Sequence, residues 1–257
     1  MILSVIRSFW YSRLALRWGA ASPHFLMKWG AIKRLARDYF PRCLLDAGCA
    51  NGLNSMLMTQ RCLSVERVDG FDISEESIRH AQSLAQRLRP GITAHFWVGD
   101  LDRQRLARWY DLVFYIDCIQ YAERPGHLLR EIVEHLAIDG RLILYAPVKD
   151  GFQGRFPGFV QARLPKWSTT PRSRDELLGW LADAGFEVER TIWVGKRCYR
   201  TYKTWEYWLR SYSKTGSYLF LPVGLSLAWA DRFMPGIGSG VFLIARRYDR
   251  DDTSVSG

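Results

Sequence analysis

Short apolar runs alternate along this chain with longer stretches whose apolar residues recur every three or four positions. The first kind of run reads as buried strand and the second as amphipathic helix. Residues 22–39 read as a helix, with Ser22 as N-cap and Pro23 at the first helical position. Arg42–Asp46 is a strand that ends in a tight turn, and Asn51–Arg61 has helical spacing. Val65–Asp72 reads as a strand, Ser74–Leu88 as a helix capped by Ser74 or Ser77, and Ile92–Val98 as a strand. Leu101–Arg108 reads as a short helix and Asp111–Asp117 as a strand. Pro125–Ala137 is predicted to be a helix closed by Asp139-Gly140, with Arg141–Pro147 as the fifth strand. Strands alternating with helices in this way imply βαβ units, hence a parallel sheet covered on both faces.

The pattern then loosens. Val148–Pro171 reads as a long loop, Ser173–Ala184 as a helix ended by Gly185, and Phe186–Val194 as a sixth strand. Residues 195–240 are aromatic-rich and partly helical, Val241–Arg246 is a last strand, and Tyr248–Gly257 is a polar tail expected to lack order. The fold class expected is α/β: a doubly wound, mostly parallel seven-stranded sheet with a helical aromatic insert before the last strand. In domain terms, 1–40 is a helical cap, 41–198 the core, 199–240 the insert, 241–247 the closing strand and 248–257 the tail. An insert placed there can cover the sheet's edge and cap an acceptor pocket.

Composition narrows the setting. Lys and Arg number 36 against 26 Asp and Glu, a formal net charge of +10, which favours anionic partners or a generally basic surface. The five cysteines form no CxxC pair and their number is odd, which argues against a disulfide framework or a zinc site and for reduced thiols in the cytoplasm. No metal site is expected. No apolar run reaches the roughly 20 residues that span a bilayer. Met1–Ala20 carries Arg7, Arg13 and Arg17 inside its apolar stretch, unlike a secretory signal. The Arg- and Trp-bearing N terminus and the apolar run Tyr218–Ala230 nevertheless admit peripheral contact with a membrane.

The chemistry concentrates at strand ends. Asp46-Ala47-Gly48-Cys49-Ala50-Asn51-Gly52 joins the first strand to a helix. Its glycines permit a sharp bend and close approach of a ligand. The spacing is neither GxGxxG nor a phosphate loop, so a dinucleotide dehydrogenase is disfavoured. Asp72, Asp100 and Asp117 end the next three strands. Ligands of open α/β sheets lie at such ends. Asp72 can accept from vicinal ribose hydroxyls and Asp100 from an exocyclic amine. Each acid could also be a helix N-cap, a weaker reading for all four together.

The ordered series resembles the class I S-adenosylmethionine (SAM)-dependent methyltransferase family. LLDAGCANG resembles its first motif, VDGFDISEESIRHAQ its second strand and helix, VGDLD its adenine-contacting turn, and YDLVFYIDCIQYAERPGHLLREIVEHLAIDGRLILYAPV its fourth strand, helix and fifth strand. TPRSRDELLGWLADAGFEV resembles the helix and strand that follow, and VFLIARR the closing strand. The resemblance implies SAM as cofactor, with its methionine end on Asp46, Gly48, Ala50 and Gly52, its ribose on Asp72, and Ile73 also among the cofactor-binding residues. Asp100 and Leu101 would hold the adenine, and Asp117 would lie beside the amino acid moiety or the methyl-transfer site. Ala50 departs from the second glycine of many relatives. Cys118-Ile119-Gln120-Tyr121 departs from a Leu-Glu-His-like stretch, so Tyr121 stands where small-molecule relatives have a histidine base. Tyr121, His127 and Lys149 are the candidate acid–base groups.

Asp117–Gln120 is not the [DN]-P-P-[YF] type of amino-directed nucleic-acid enzymes, and Cys118 follows no proline, as a cytosine-C5 nucleophile would. The expected acceptor is therefore a small or lipid-like molecule, methylated at oxygen. An RNA or protein methyltransferase and a non-catalytic SAM-binding module are the alternatives. The sequence leaves the oligomeric state open.

Overall fold

The structure, a computed structural model, describes residues 22–35, 39–149, 172–212 and 221–248. The chain divides into two compact units. One contains 40–146, 174–191 and 242–257; the other contains 1–39, 147–173 and 192–241. The second thus takes in 147–173 and the stretch from 192 as well as the N-terminal segment and the insert.

Seven strands form one sheet in the order β3-β2-β1-β4-β5-β7-β6. They are β1 (Cys43–Ala47), β2 (Arg67–Asp72), β3 (Thr93–Val98), β4 (Tyr110–Ile116), β5 (Leu136–Pro147), β6 (Phe186–Val194) and β7 (Gly240–Arg247). β1 pairs in parallel with β2 and β4, β2 with β3, and β4 with β5. Consecutive residues are buried along β1, β4 and the end of β5, Leu44 and Leu45 among them, as a sheet covered on both faces requires. β3, at the edge, buries only Phe96 fully. Helix α1 (Pro23–Leu35) belongs to the second unit. Ser22 caps it as expected, its hydroxyl accepting from the Phe25 N–H at 3.0 Å.

In the first unit, α2 (Leu53–Arg61) packs against β1 and against α3 (Glu75–Ala85). The Ser74 hydroxyl caps α3 by accepting from the Ser77 N–H at 3.2 Å. α4 (Pro125–Glu134) packs against α5 (Arg174–Asp183). Gly185, at φ +93°, follows α5 and the short turn from it into β6. The expected seven-stranded doubly wound architecture is present.

Two local expectations differ. Residues 101–108 make a single turn rather than a helix. The Asp100 carbonyl accepts from the Arg103 and Gln104 N–H groups, but the Leu106 N–H donates to the Glu131 carboxylate at 3.2 Å instead of continuing a helical ladder. Buried Glu131 on α4 also binds Arg105. The fourth helix ends at Glu134 rather than Ala137, because Leu136, fully buried, already pairs with Tyr110 as the first residue of β5. The following pair is Leu112 with Arg141, so residues 137–140 bulge out of the ladder and Asp139-Gly140 lies inside the bulge. The loop expected at 148–171 lies outside the described residues apart from 148–149, the tail apart from Tyr248, and Met1–Ala20 entirely.

The start of β1 is pinned to β4 by one carboxylate: Asp111 Oδ2 accepts from the Arg42 and Cys43 N–H groups, both at 2.8 Å. Asp111→Ala is expected to lower unfolding free energy by about 1–2 kcal/mol, the scale of a partly exposed charge-assisted bond, in urea titration. A change within a few tenths of a kcal/mol would show that this anchor is dispensable.

Candidate active site

The strand order reverses between β1 and β4, so the carboxyl ends of these two strands open the crevice where α/β sheets bind ligands. The turn after β1 occupies that position. Gly48, Ala50 and Gly52 all have left-handed φ, at +70°, +46° and +72°. Gly48 has a second reason to be glycine: a Cβ there would meet Cys118 Sγ at 2.6 Å and Leu101 Cδ2 at 3.9 Å. Ala50 carries the cost of a left-handed alanine, on the order of 1 kcal/mol.

Three bonds fix the bend. The Cys49 N–H donates to the Phe71 carbonyl at 2.9 Å, the Gly52 N–H to the Cys49 carbonyl at 2.8 Å, and the Ala50 N–H to Asp72 Oδ2 at 2.9 Å. Asp72 Oδ1 accepts from the Ser74 N–H at 2.9 Å. Asp72 therefore ties the end of β2 to the bend and remains half-buried at the rim. Ile73 beside it is 74% exposed, an apolar side chain left in solvent next to a carboxylate.

Asp46 lies elsewhere. It is buried beneath the bend and accepts a hydrogen bond from the Ser55 hydroxyl on α2. Burial pushes its carboxyl up to about 6, opposed by the Ser55 bonds and aided slightly by Asp72. The expected row of four carboxylates is thus three at the rim and one underneath.

After β3, Asp100 Oδ1 accepts from the Asp102 N–H at 2.9 Å, and the Leu101 side chain reaches toward Gly48. After β4, Asp117 is left-handed at φ +64°, and its N–H donates to the Tyr145 carbonyl at 2.9 Å. The Cys118 thiol donates to the Ala47 carbonyl at 3.1 Å. Burial pushes the Cys118 and Cys49 thiols well up, with nearby carboxylates adding to it, so both stay protonated. Gln120 Nε2 donates to the Asp117 carbonyl at 2.9 Å, while Gln120 Oε1 and His127 Nδ1 are buried without a hydrogen-bond partner. A buried polar atom without a partner is rare and calls for an explanation, of which a bound ligand group is one. Tyr121 is about half exposed (51%), and burial followed by Asp117 raises its phenol. Lys149 belongs to the other unit, its N–H donating to the Arg172 carbonyl at 3.1 Å. Among the described residues, no group of three His, Cys, Asp or Glu could hold a metal.

The sequence reading missed Ser55, Cys118, Gln120 and Asp102. Asp102 accepts from the Glu123 and Arg124 N–H groups, at 2.9 and 2.6 Å, and so joins the loop after β3 to the start of α4. Position 118 had a readable signal, since a residue following a strand-end acid and facing a glycine bend has to be small.

Residues 44–140 match the model of a methyltransferase domain family. No curated protein matches the chain by sequence. A SAM-dependent methyltransferase from Mesorhizobium loti shares the fold with a TM-score of 0.58 and 17% identity, over 86% of this chain and 98% of that one. Geranyl diphosphate C-methyltransferase from Streptomyces coelicolor, in complex with S-adenosyl-L-homocysteine, gives 0.57 and 19%, over 85% and 77%. Coclaurine N-methyltransferase bound to N-methylheliamine gives 0.60 and 16%, over 87% and 72%. Over residues 44–140 the chain is thus similar to methyltransferase domains, and it shares the fold of SAM-dependent methyltransferases, whose cofactor carries a sulfonium. The carboxylates of Asp72, Asp100 and Asp117 at the rim have the charge that would suit such a cationic group.

The buried Asp46 gives a signed pH test. An unfolded carboxyl ionises near 3.8 and the folded one near 6, so the folded chain holds the extra proton between those values. Stability is therefore lost as pH rises from about 4 to 6, by up to about 3 kcal/mol. Asp46→Asn, which keeps an acceptor for Ser55, is expected to leave Tm unchanged below pH 4 and raise it increasingly to pH 6, with a plateau above. An equal Tm difference at all pH values would show that the charge is not the cause.

Proposed function

We propose that the chain transfers the SAM methyl group to a small or lipid-like acceptor at oxygen. The observation that carries this reading is the pairing of a left-handed bend clamped by Asp72 with two unpartnered buried polar atoms on the segment after β4. The first suits the cofactor and the second an acceptor. In the roles assigned here, Asp72 accepts from the ribose hydroxyls while holding the Ala50 N–H. Ile73 covers one side of the adenosine, and Asp100 with Leu101 meets the adenine. Asp117 faces the amino acid end, and Asp46 supplies negative charge beneath the bend that holds the methionine.

Methyl transfer needs in-line alignment of the acceptor lone pair with the sulfonium, which is a matter of position more than of acid–base strength. A hydroxyl acceptor must also lose its proton. His127, with Nδ1 unpartnered, is the group we assign as base. Tyr121, raised above its ordinary value, keeps its proton at neutral pH and serves as a donor to the acceptor. Two of the solved structures named above are a C-methyltransferase and an N-methyltransferase, so the choice of oxygen rests on these two side chains.

Methyl-labelled SAM incubated with separated metabolite, lipid, RNA and protein fractions is expected to label the metabolite or lipid fraction. Label only in RNA or protein would replace the acceptor class, and no label in any fraction would favour a non-catalytic module. Asp72→Ala should weaken SAM binding by about 1.5–3 kcal/mol in calorimetry, the scale of bonds to a charged acceptor. His127→Gln should lower kcat by roughly a hundredfold with SAM affinity unchanged, the range of a lost general base. Unchanged turnover would remove His127 from the chemistry.

A further inference from the structure

Charge and tryptophan are unevenly divided between the two units. Of the 36 Lys and Arg, 19 fall in 1–39, 147–173 and 192–241, while only 4 of the 26 Asp and Glu do. The remaining segments hold the other 17 basic and 22 acidic residues, so the chain is a +15 unit joined to a −5 unit. The basic unit also holds 8 of the 11 tryptophans. Among its described residues the carboxylates are Glu206 and Asp231, and both are buried. Glu206 pairs with Lys203 at 2.7 Å, and Asp231 accepts from the Lys196 and Tyr199 N–H groups at 2.7 and 3.0 Å. The described part of this unit thus presents no solvent-facing carboxylate.

Its described helices are α1, α6 (Arg197–Tyr212) and α7 (Leu221–Ala230), and α7 packs against the other two. The packed face of α7 is made of small residues, Gly224 and Ala228, four positions apart. A Cβ on Gly224 would meet the Tyr202 ring at 2.2 Å. Val223 and Trp229 lie on the exposed side of α7, and Phe233 and Ile237 follow in the segment after it. Trp229 is 53% exposed, Phe233 67%, Ile237 54% and Val223 44%. Trp229 and Phe233 meet edge to face at 5.2 Å, and the Arg232 guanidinium lies 5.1 Å from one ring centroid and 5.8 Å from the other. Arg34 on α1 is close enough to feel Arg232, whose charge adds to burial in lowering it.

We propose that this unit docks on an anionic lipid bilayer surface through the Trp229–Arg232–Phe233 cluster at the end of α7. Aromatic rings with one apolar and one wet side settle at the headgroup boundary, and an Arg held against them reaches the phosphates. The unit's net positive charge adds long-range attraction to anionic lipid. Aliphatic Val223 and Ile237 gain from an acyl boundary and nothing from a phosphodiester backbone, which favours lipid over nucleic acid. At 10 residues α7 is about 15 Å long, enough to lie in the interface but not to cross it. No helix among the described residues is long and apolar enough to span a membrane.

The test uses the full chain and vesicles of phosphatidylcholine with or without phosphatidylglycerol, read by co-sedimentation. It reads binding alone, so its outcome is independent of whether any acceptor is methylated. The chain is expected to sediment with the anionic vesicles, at least tenfold more weakly with neutral ones, and less as salt rises. Trp229→Ser with Phe233→Ser should weaken binding roughly tenfold or more, and Arg232→Gln several-fold, with circular dichroism and SAM affinity unchanged. Absence of binding to anionic vesicles would overturn the proposal. So would full binding by both variants, or binding of transfer RNA that is tighter than that of vesicles and weakened by the same substitutions.

Discussion

The structure depends on how the chain leaves β1. Three left-handed residues in five make a bend that no helix or sheet ladder supports, so it must be held from outside. β2 holds it through the Phe71 carbonyl and the Asp72 carboxylate, and the segment after β4 closes on its base, where the Cys118 thiol reaches the Ala47 carbonyl. The strand order puts β1 between those two neighbours. One topological fact thus supplies both the crevice and the clamps that shape it.

The clamps explain the conflict between stability and charge at this place. Ala50 is forced into a conformation that glycine would adopt freely, and Asp46 is buried with its carboxyl shifted against ionisation. Both work against folding at neutral pH. The sulfonium cofactor proposed above would account for keeping a carboxylate under the bend, since a neutral side chain there would be easier to bury. The two thiols do not compete for that role, because burial keeps each protonated.

Much of this was legible from the sequence because it depends on local rules. Ser22 and Ser74 announced their helices, buried apolar runs announced the central strands, and the acid that ends each successive strand marked a single edge of the sheet. What the sequence hid depends on partners distant along the chain. Residues 101–108 have helical spacing, yet Glu131 on α4 takes the N–H that would have continued the helix. The end of α4 was obscured because Leu136 is claimed by Tyr110 across the sheet. Asp46 looked like a rim acid until Ser55, nine residues on, showed which way it faces. The two unpartnered atoms of Gln120 and His127 have no signature in the sequence at all.

The charge division ties these features to one another. A cofactor that carries a sulfonium is better received by the acidic unit, whose carboxylates Asp46, Asp72, Asp100 and Asp117 cluster at the carboxyl ends of β1 to β4. The basic unit has the opposite affinity, and the segments that build it are those outside the alternating strand–helix pattern of the core. Had the +10 excess been spread evenly, it would have weakened cofactor attraction as it strengthened attraction to anionic surfaces. Confining it to the unit with the exposed Trp229 and Phe233 lets a single chain favour a cation at one place and an anionic surface at another.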